Sequence, residues 1–543
     1  MSKVIGNKQQ KEIRGLSELL MGRENYFDLI RLVAAVFVIF SHAYPLSGSG
    51  VEEPLSNLSN GKVNFGNLAV FTFFVISGLL ITQSYIHSNN LIVFLKSRIL
   101  RIFPGLIGVI LFSTFIMGPI VTSLSLADYL TSEGIREYLK AVFLFPMQWN
   151  LPGVFETNAY KGTVNGSLWT IPFEFLCYLL VGLIGFFGLL RHRYVVLLIS
   201  LILYYFYTFG DTQLVNSGHL FGLEIKTLVE LSVYFMAGSV VYLFKDVIVI
   251  RKELAMVSLS LIAVSLFNGG FKPVFVIAGT YLILYLAYLP KSKATVLTQY
   301  GDFSYGLYLY AFPIQQVVTY LYGGKTNIWL NFLISLPMTY LLAIASWYVI
   351  EKKALRLKKR SLLGKSQILF ISRLNDNWNG WITKVCGYLF RMNWIKFGVY
   401  FIVATVIFLT YQLQPKTIEF PYTKNQNILK GDWLPQNNSE KYRWVAKKAG
   451  IVLDLPIKGR LLINGFVPDT FTEINSIKVY LNDEEIYTTP LKTGEGFFLD
   501  IPVENGKASS TIQIEFNDVH SPDSTSEDKR EMSALISKIE VKY

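Results

Sequence analysis

The sequence predicts an all-α polytopic membrane bundle, ten core spans plus an eleventh linker span, followed by a small all-β sandwich domain. Three observations lead there. Charged residues make up 16% of the 543 residues and apolar residues 52%, whereas a soluble chain carries roughly 25% charged residues. Apolar runs of about 20 residues, the length that crosses hydrocarbon, recur along the chain as far as residue 413. Beyond that point a polar tail alternates with a period of two. This composition excludes a soluble enzyme, a disordered chain and a disulfide-built secreted domain. The two cysteines, Cys177 in an apolar run and Cys386 in a basic loop, occur without a CxxC pair and suggest neither a bridge nor a metal site. The net charge of +12 fits membrane topology better than nucleic acid.

Taken in order, residues 1–25 form a basic, polar cytoplasmic segment with no small-residue cleavage site after it, so the first span is expected to remain in the protein. Spans are expected at 26–46, 65–86, 102–122, 168–189, 194–209, 227–244, 254–268, 273–289, 303–322, 328–350 and 396–413. Residues 26–350 form the ten-span domain and 351–395 a basic cytoplasmic linker. With the N-terminus inside, Lys and Arg number 26 on the cytoplasmic side and 7 on the other. That asymmetry obeys the positive-inside rule, and an odd span count then puts residues 415–543 outside. This tail carries 16 basic and 19 acidic residues. Arg460-Leu-Leu-Ile-Asn-Gly, Ile477-Lys-Val-Tyr-Leu, Gly496-Phe-Phe-Leu-Asp-Ile and Thr511-Ile-Gln-Ile-Glu-Phe read as strands. Asn482-Asp483 and Asn505-Gly506 read as turns.

Three groups of residues carry candidate chemistry. The first span holds Arg31 and His42, ionisable groups that hydrocarbon does not tolerate without a purpose. Their eleven-residue spacing returns them to one helix face, about 16 Å apart along the axis. A bland alternative pairs Arg31 with Asp28 and leaves His42 in the interfacial belt. The second group, Arg98 and Arg101 followed by Pro104, has the i, i+3 spacing that lets two guanidinium groups grip phosphate; both also serve as positive-inside residues. The third is Asn165-Gly-Ser-Leu-Trp169-Thr-Ile-Pro-Phe-Glu174. Glu174, about two turns inside the membrane, must pair, stay protonated or move protons. Trp169 either stacks on a sugar or sits in the interface. His87, His192, His219 and His520 lie at loop or span ends and take no role. No GxSxG elbow, HExxH or Walker loop is present.

Residues 23–360 resemble the acyltransferase-3 family of bacterial membrane acyltransferases. The resemblance lies in six motifs in order: Tyr26-Phe-Asp-Leu-Ile-Arg31 with His42; Phe73-Phe-Val-Ile-Ser-Gly78; Arg98/Arg101 with Pro104; Gly166-Ser-Leu-Trp-Thr-Ile-Pro-Phe-Glu174; Asp302-Phe-Ser-Tyr-Gly-Leu-Tyr-Leu-Tyr310; and Trp347-Tyr-Val-Ile-Glu351. It implies transfer of an acyl group, usually acetyl, from cytoplasmic acyl-CoA to a hydroxyl of a cell-surface polysaccharide or lipid-linked glycan. It further implies a bacterial cytoplasmic membrane, contact with membrane lipid, and neither metal nor nucleic acid. On these motifs His42, Arg31 and Glu174 are the expected catalytic residues. Arg98 and Arg101 bind acetyl-CoA, and Trp169, Asn165 and Ser167 bind the acceptor. His42 acts as base toward the sugar hydroxyl or forms an acyl-histidine. Arg31 steadies coenzyme A or its thiolate, and Glu174 orients His42 or the acceptor. Two departures stand out. Ala311 occupies a position where many relatives carry His, and the tail lacks the Gly-Asp-Ser block of relatives that append a hydrolase-like domain. Trp433, Arg443-Trp444 and Asp528-Lys-Arg-Glu instead resemble β-sandwich accessory domains of bacterial glycosyltransferases, which implies glycan docking, although both tryptophans fit the core of such a domain at least as well. A transporter of a lipid-linked sugar or acyl group and a glycan-binding membrane receptor are the competing classes. The first would show inverted repeats with broken helices; the second leaves Arg31, His42, Arg98 and Arg101 without a purpose.

Overall fold

The computed structural model describes residues 14–22, 25–59, 61–209, 218–289, 300–359, 417–419, 429–434, 442–453, 458–468, 475–504, 510–517 and 533–542. The chain divides into two compact units. One comprises 1–55, 63–262 and 272–409; the other comprises 56–62, 263–271 and 410–543.

Among the described residues ten principal helices overlap the apolar runs: α1 Phe27–Ser47, α2 Phe65–Ser88, α3 Leu91–Phe112, α4 Ile171–Phe186, α5 Arg193–Phe209, α6 Ile225–Leu243, α7 Lys252–Asn268, α8 Thr280–Ala287, α9 Ser304–Leu321 and α10 Ile328–Ser346. Among the described residues six helical stretches, 27–47, 65–88, 91–121, 166–186, 225–243 and 328–356, are long and apolar enough to cross a membrane; 193–209 and 271–287 are shorter apolar helices. Asparagines start several of them. Asn64 and Asn67 cap α2 reciprocally, and Asn90 and Asn327 accept from the first free N–H groups of α3 and α10. α3 begins before the expected span at 102 and carries Lys96, Arg98 and Arg101 on its first turns. α10 continues through a π-turn, Trp347–Glu351, to Arg356. The expected eleventh span at 396–413 lies outside the described residues, as do Cys386, His520 and 528–531.

Small residues let the bundle close. A Cβ on Gly78 would stand 1.8 Å from the Phe235 carbonyl oxygen, and one on Gly238 would stand 2.0 Å from that of Val75. The α2 and α6 backbones therefore touch directly, the packing that small residues permit in membranes. α9 is the central helix, buried along almost its whole length. Leu307 and Ala311 pack with Leu32, Ala35 and Ile39 of α1 and Ala343 of α10. Ala311, the position where a histidine was expected in relatives, is thus fully enclosed in apolar contact. Large apolar side chains such as Leu111, Ile116, Ile120, Leu333 and Leu341 point outward, as helices surrounded by lipid allow.

The second unit is β-rich. Its strands are β1 Thr417–Glu419, β2 Leu429–Trp433, β3 Arg443–Leu453, β4 Lys458–Phe466, β5 Asn475–Leu481, β6 Glu484–Leu491, β7 Gly496–Glu504, β8 Ser510–Phe516 and β9 Ala534–Lys542. They pair antiparallel in the order β6-β5-β8-β3-β9-β4-β7, with β1 on β9 and β2 on β3. Asn482 and Asp483 turn the β5–β6 hairpin with φ of 52° and 68°, the left-handed pair a two-residue turn requires. In β8, Ser510, Ile512, Ile514 and Phe516 are buried and alternate with partly exposed residues, placing one face in a single apolar core shared by β2–β9. Trp433 belongs to that core. It is 9% exposed, and its indole N–H donates to the Gly450 carbonyl at 2.9 Å. Trp444 packs against the same core. Of the two readings open for these tryptophans, sugar-facing or core, Trp433 takes the core one and Trp444 packs partly buried against it.

Candidate active site

α1 carries charge only at Asp28 and Arg31. Arg31 Nη1 donates to Asp302 Oδ2 at 2.6 Å, and Arg101 Nη2 donates to the same oxygen. Asp302 stands just before α9, where Ser304 supplies its backbone N–H (3.2 Å) and hydroxyl (2.5 Å) to Oδ1. Arg101 Nη1 also lies 3.8 Å from Glu351 Oε2, and Glu351 Oε1 accepts from Ser346 at 3.0 Å. Burial alone would raise the Asp302 carboxyl. The two guanidinium groups and the Ser304 bonds outweigh it and hold the carboxyl well below the usual carboxylate range. Side-chain exposures of 14–17% keep the Arg31, Asp302 and Arg101 charges largely from water, so each depends on the others.

Beside this network lies a cavity of about 50 Å³. Arg31, Arg101, Glu174 and Ser77 supply its polar wall, Tyr178, Tyr305 and Tyr308 its phenols, and Phe73, Phe74 and Val70 its apolar side. Glu174, in the first turn of α4, accepts from the Tyr178 hydroxyl at 2.5 Å and from Ser77 at 3.3 Å. Its bonding partners are these two, not Arg31 or His42. Arg98, one turn before Arg101, takes another direction. It donates to Ser97 (3.0 Å) and Ser84 (3.5 Å) and lies over the Tyr178 ring at 5.9 Å. Among the described residues no carboxylate pairs with it. The i, i+3 spacing therefore yields one arginine tied into carboxylates and one that makes no direct ion pair among the described residues.

His42 occupies the other end of the α1 face. It does not line the cavity. Its Nδ1 is buried without a hydrogen-bond partner, and its ring meets Phe312 edge-to-face at 5.3 Å. α9 links the two ends. Tyr308 lines the cavity and Phe312 touches the imidazole, and these residues are i and i+4 on one helix, about 6 Å apart along its axis. Higher on α9, Gln315 donates to the Ile39 carbonyl and Thr319 to that of Leu46, each at 2.8–3.0 Å. These bonds fix the turns of α1 on either side of His42. Ser41, the neighbour of His42, donates to Glu53 Oε2 at 2.6 Å, and Glu53 Oε1 accepts the Phe65 N–H at 2.5 Å. Burial raises the Glu53 carboxyl, while those two bonds act to lower it.

The 165–174 motif forms the partition between cavity and imidazole. Asn165 caps the 3₁₀ turn Gly166–Thr170 and donates to the Leu309 carbonyl at 2.8 Å. The Ser167 carbonyl accepts from Tyr308 at 2.5 Å, and the Ser167 hydroxyl is buried without a partner. Gly166 lies under Phe312, where a Cβ would come within 2.7 Å of that ring. Trp169 is half-buried against Phe173. Sequence reasoning missed Asp302, Glu351, Tyr308 and Glu53 as members of the site. The available signal was the need for acids to balance arginines inside a membrane. Among the described residues no group of three or more His, Cys, Asp or Glu is arranged to hold a metal ion.

Comparison with known proteins now bears on this geometry. The family model described as an acyltransferase domain, acyltransferase-3, matches residues 24–348. An O-acetyl transferase of Shigella phage Sf6 is 29% identical over 345 residues, which span 62% of this chain and 97% of the phage protein. Nodulation protein 10 of Rhizobium leguminosarum bv. viciae is 33% identical over 170 residues, 29% of this chain and 43% of its own length. The O-acetyltransferase OatA of Staphylococcus aureus is 28% identical over 338 residues, 53% of this chain and 52% of OatA. The chain thus spans about half the length of the latter two.

Proposed function

The chain belongs to the acyltransferase-3 family and is a multi-pass membrane acyltransferase, and from that premise we propose that it moves an acetyl group from acyl-CoA to a hydroxyl of a cell-surface or lipid-linked glycan. The names of the phage and staphylococcal relatives support acetyl as the group and oxygen as the acceptor atom. The observation that carries the reading is the division of labour along α1. Arg31 reaches the cavity, His42 stands uncommitted on the same face, and one turn of α9 joins the two.

In this reading the N-terminus is cytoplasmic, ten core spans and an eleventh lie in the bacterial inner membrane, and the β-rich tail is an extracytoplasmic sandwich. The 26-to-7 distribution of Lys and Arg supports the orientation. Acyl-CoA approaches from the cytoplasm. Arg98, free of any carboxylate among the described residues, takes a phosphate, while Arg101 and Arg31 present fixed positive charge in the cavity wall. The pantetheine arm carries the thioester toward His42. The imidazole removes the proton of the acceptor hydroxyl as the oxygen attacks the thioester carbonyl. An O–C bond forms, the C–S bond breaks, and the proton passes from the imidazolium to the departing thiolate. Glu174, held by Tyr178 and Ser77, shapes the route of the acyl group. Asn165 and Ser167 position the acceptor end through the partition, and Trp169 adds an apolar flank.

Purified protein in proteoliposomes, given radiolabelled acetyl-CoA and de-O-acetylated surface oligosaccharide, tests this. Base-labile label on the oligosaccharide is expected. Translocation of the oligosaccharide without any ester formation would overturn it in favour of transport.

A further inference from the structure

Tyr160 is exposed in a segment that is otherwise locked. Asn158 is fully buried and its Nδ2 donates to the Gln316 carbonyl (2.9 Å) and Oε1 (2.8 Å). Gln316, also fully buried, returns Nε2 bonds of 2.8 Å to the carbonyls of Tyr160 and Thr163. The Ala159 N–H donates to Gly324 at 2.8 Å and that of Gly162 to Phe155 at 3.1 Å. The backbone at Tyr160 is therefore pinned to α9 from both sides. Its side chain is nevertheless 42% exposed, and its hydroxyl has no hydrogen-bond partner among the described residues. An aromatic held rigidly toward water loses little side-chain freedom when it binds, which is why such residues anchor ligands.

The position of the ring says what it would hold. It meets Phe312 edge-to-face at 5.8 Å, and Phe312 meets His42 at 5.3 Å. One aromatic ring therefore separates Tyr160 from the imidazole. Glu156, Thr157 and Lys161 around it are exposed, so the surface faces water rather than hydrocarbon. A pyranose suits this setting: its C–H face lies on an aromatic ring while its hydroxyls stay hydrated.

Resting on the proposed acetyl transfer, we propose that Tyr160 is the platform on which a pyranose ring of the acceptor stacks, directing a hydroxyl toward His42. The site belongs to the acceptor alone and makes no contribution to the donor.

The test is steady-state transfer from acetyl-CoA to de-O-acetylated surface oligosaccharide by wild-type protein and by Tyr160→Ala and Tyr160→Phe. Tyr160→Ala should raise the oligosaccharide KM about tenfold, equivalent to about 1.4 kcal/mol, with the acetyl-CoA KM unchanged. Tyr160→Phe should match wild type, because the hydroxyl is unpartnered. Tyr160→Trp supplies a binding readout independent of turnover: its fluorescence should shift as oligosaccharide is added. An unchanged oligosaccharide KM in Tyr160→Ala, or a silent Trp, overturns the platform while leaving the transfer reaction standing. A wild-type protein that forms no ester overturns both.

Discussion

Arg31 and His42 share one face of one helix, yet their surroundings differ in kind. At the Arg31 end, Asp302 binds two guanidinium groups, and Glu351 approaches the second. At the His42 end, a buried ring nitrogen has no hydrogen-bond partner among the described residues, and the ring meets Phe312 edge-to-face. The contrast separates two tasks. A charge that must persist away from water has to be paired, since an uncompensated buried ion is costly. A group that must take up and release a proton has to be left uncommitted until substrate arrives. The same contrast recurs over three residues of α3, where Arg101 is tied into carboxylates and Arg98 is not.

Breaking the paired end should have the largest effect. Asp302→Ala leaves Arg31 and Arg101 facing each other, and a loss of about 3–5 kcal/mol is expected, measured by denaturation of the detergent-solubilised protein. A variant as stable as wild type would show that the ion pairs are dispensable. Because the folded Asp302 carboxyl is depressed, its contribution is fully present above the ordinary aspartate value of about 3.9 and is lost only as pH falls below it through the depressed value. Stability differences between wild type and Asp302→Asn should therefore stay constant from pH 8 to 5.

Next in size is the uncommitted end. His42→Ala should fold and insert normally but lose at least about 10²-fold in turnover. Turnover near that of wild type would move the base elsewhere. The two arginines of α3 then sharpen the contrast. Arg98→Ala should weaken acetyl-CoA binding about tenfold, the scale of one charge-assisted contact, without changing stability, and Arg98→Lys should rescue it poorly because an ammonium cannot fork. Arg101→Ala should lower stability as well as binding. Unchanged binding in Arg98→Ala would reduce that residue to a topology signal. The smallest effect on transfer is expected at the outer pin. Ser41→Ala removes one hydrogen bond to a carboxylate, about 1.5–3 kcal/mol of local stability, and should leave the acetyl-CoA KM untouched. A shift in that donor KM would contradict the placement of donor binding at the opposite end of α1.

What the sequence revealed follows from how local each signal is. The ten helices announce themselves through apolar runs, and the eleven-residue step puts Arg31 and His42 on one face with no tertiary knowledge. The hairpin at Asn482-Asp483 is likewise legible from two residues. Asp302 was quoted in a motif but given no role, since its partner Arg31 lies 271 residues away and no periodicity links them. The partners of Glu174 are likewise open in the sequence, between Arg31, His42 and a neighbouring helix. An acid in a membrane segment suggests a charged partner, whereas here a tyrosine one turn on and a serine from α2 satisfy it. Trp433, a residue type suited either to sugars or to a core, takes the core role. The helix α3 extends N-terminal to the apolar run, because Asn90 caps turns whose Lys96, Arg98 and Arg101 lower the hydropathy.

Sidedness tests the central claim most directly, that the arginine end serves the donor and the His42 end the acceptor. In sealed proteoliposomes of uniform, protease-verified orientation, acetyl-CoA and de-O-acetylated oligosaccharide can be placed on chosen sides. Ester formation is predicted only with acetyl-CoA on the Arg98 side and oligosaccharide on the Tyr160 side. Transfer that requires both substrates on the same side would contradict the account.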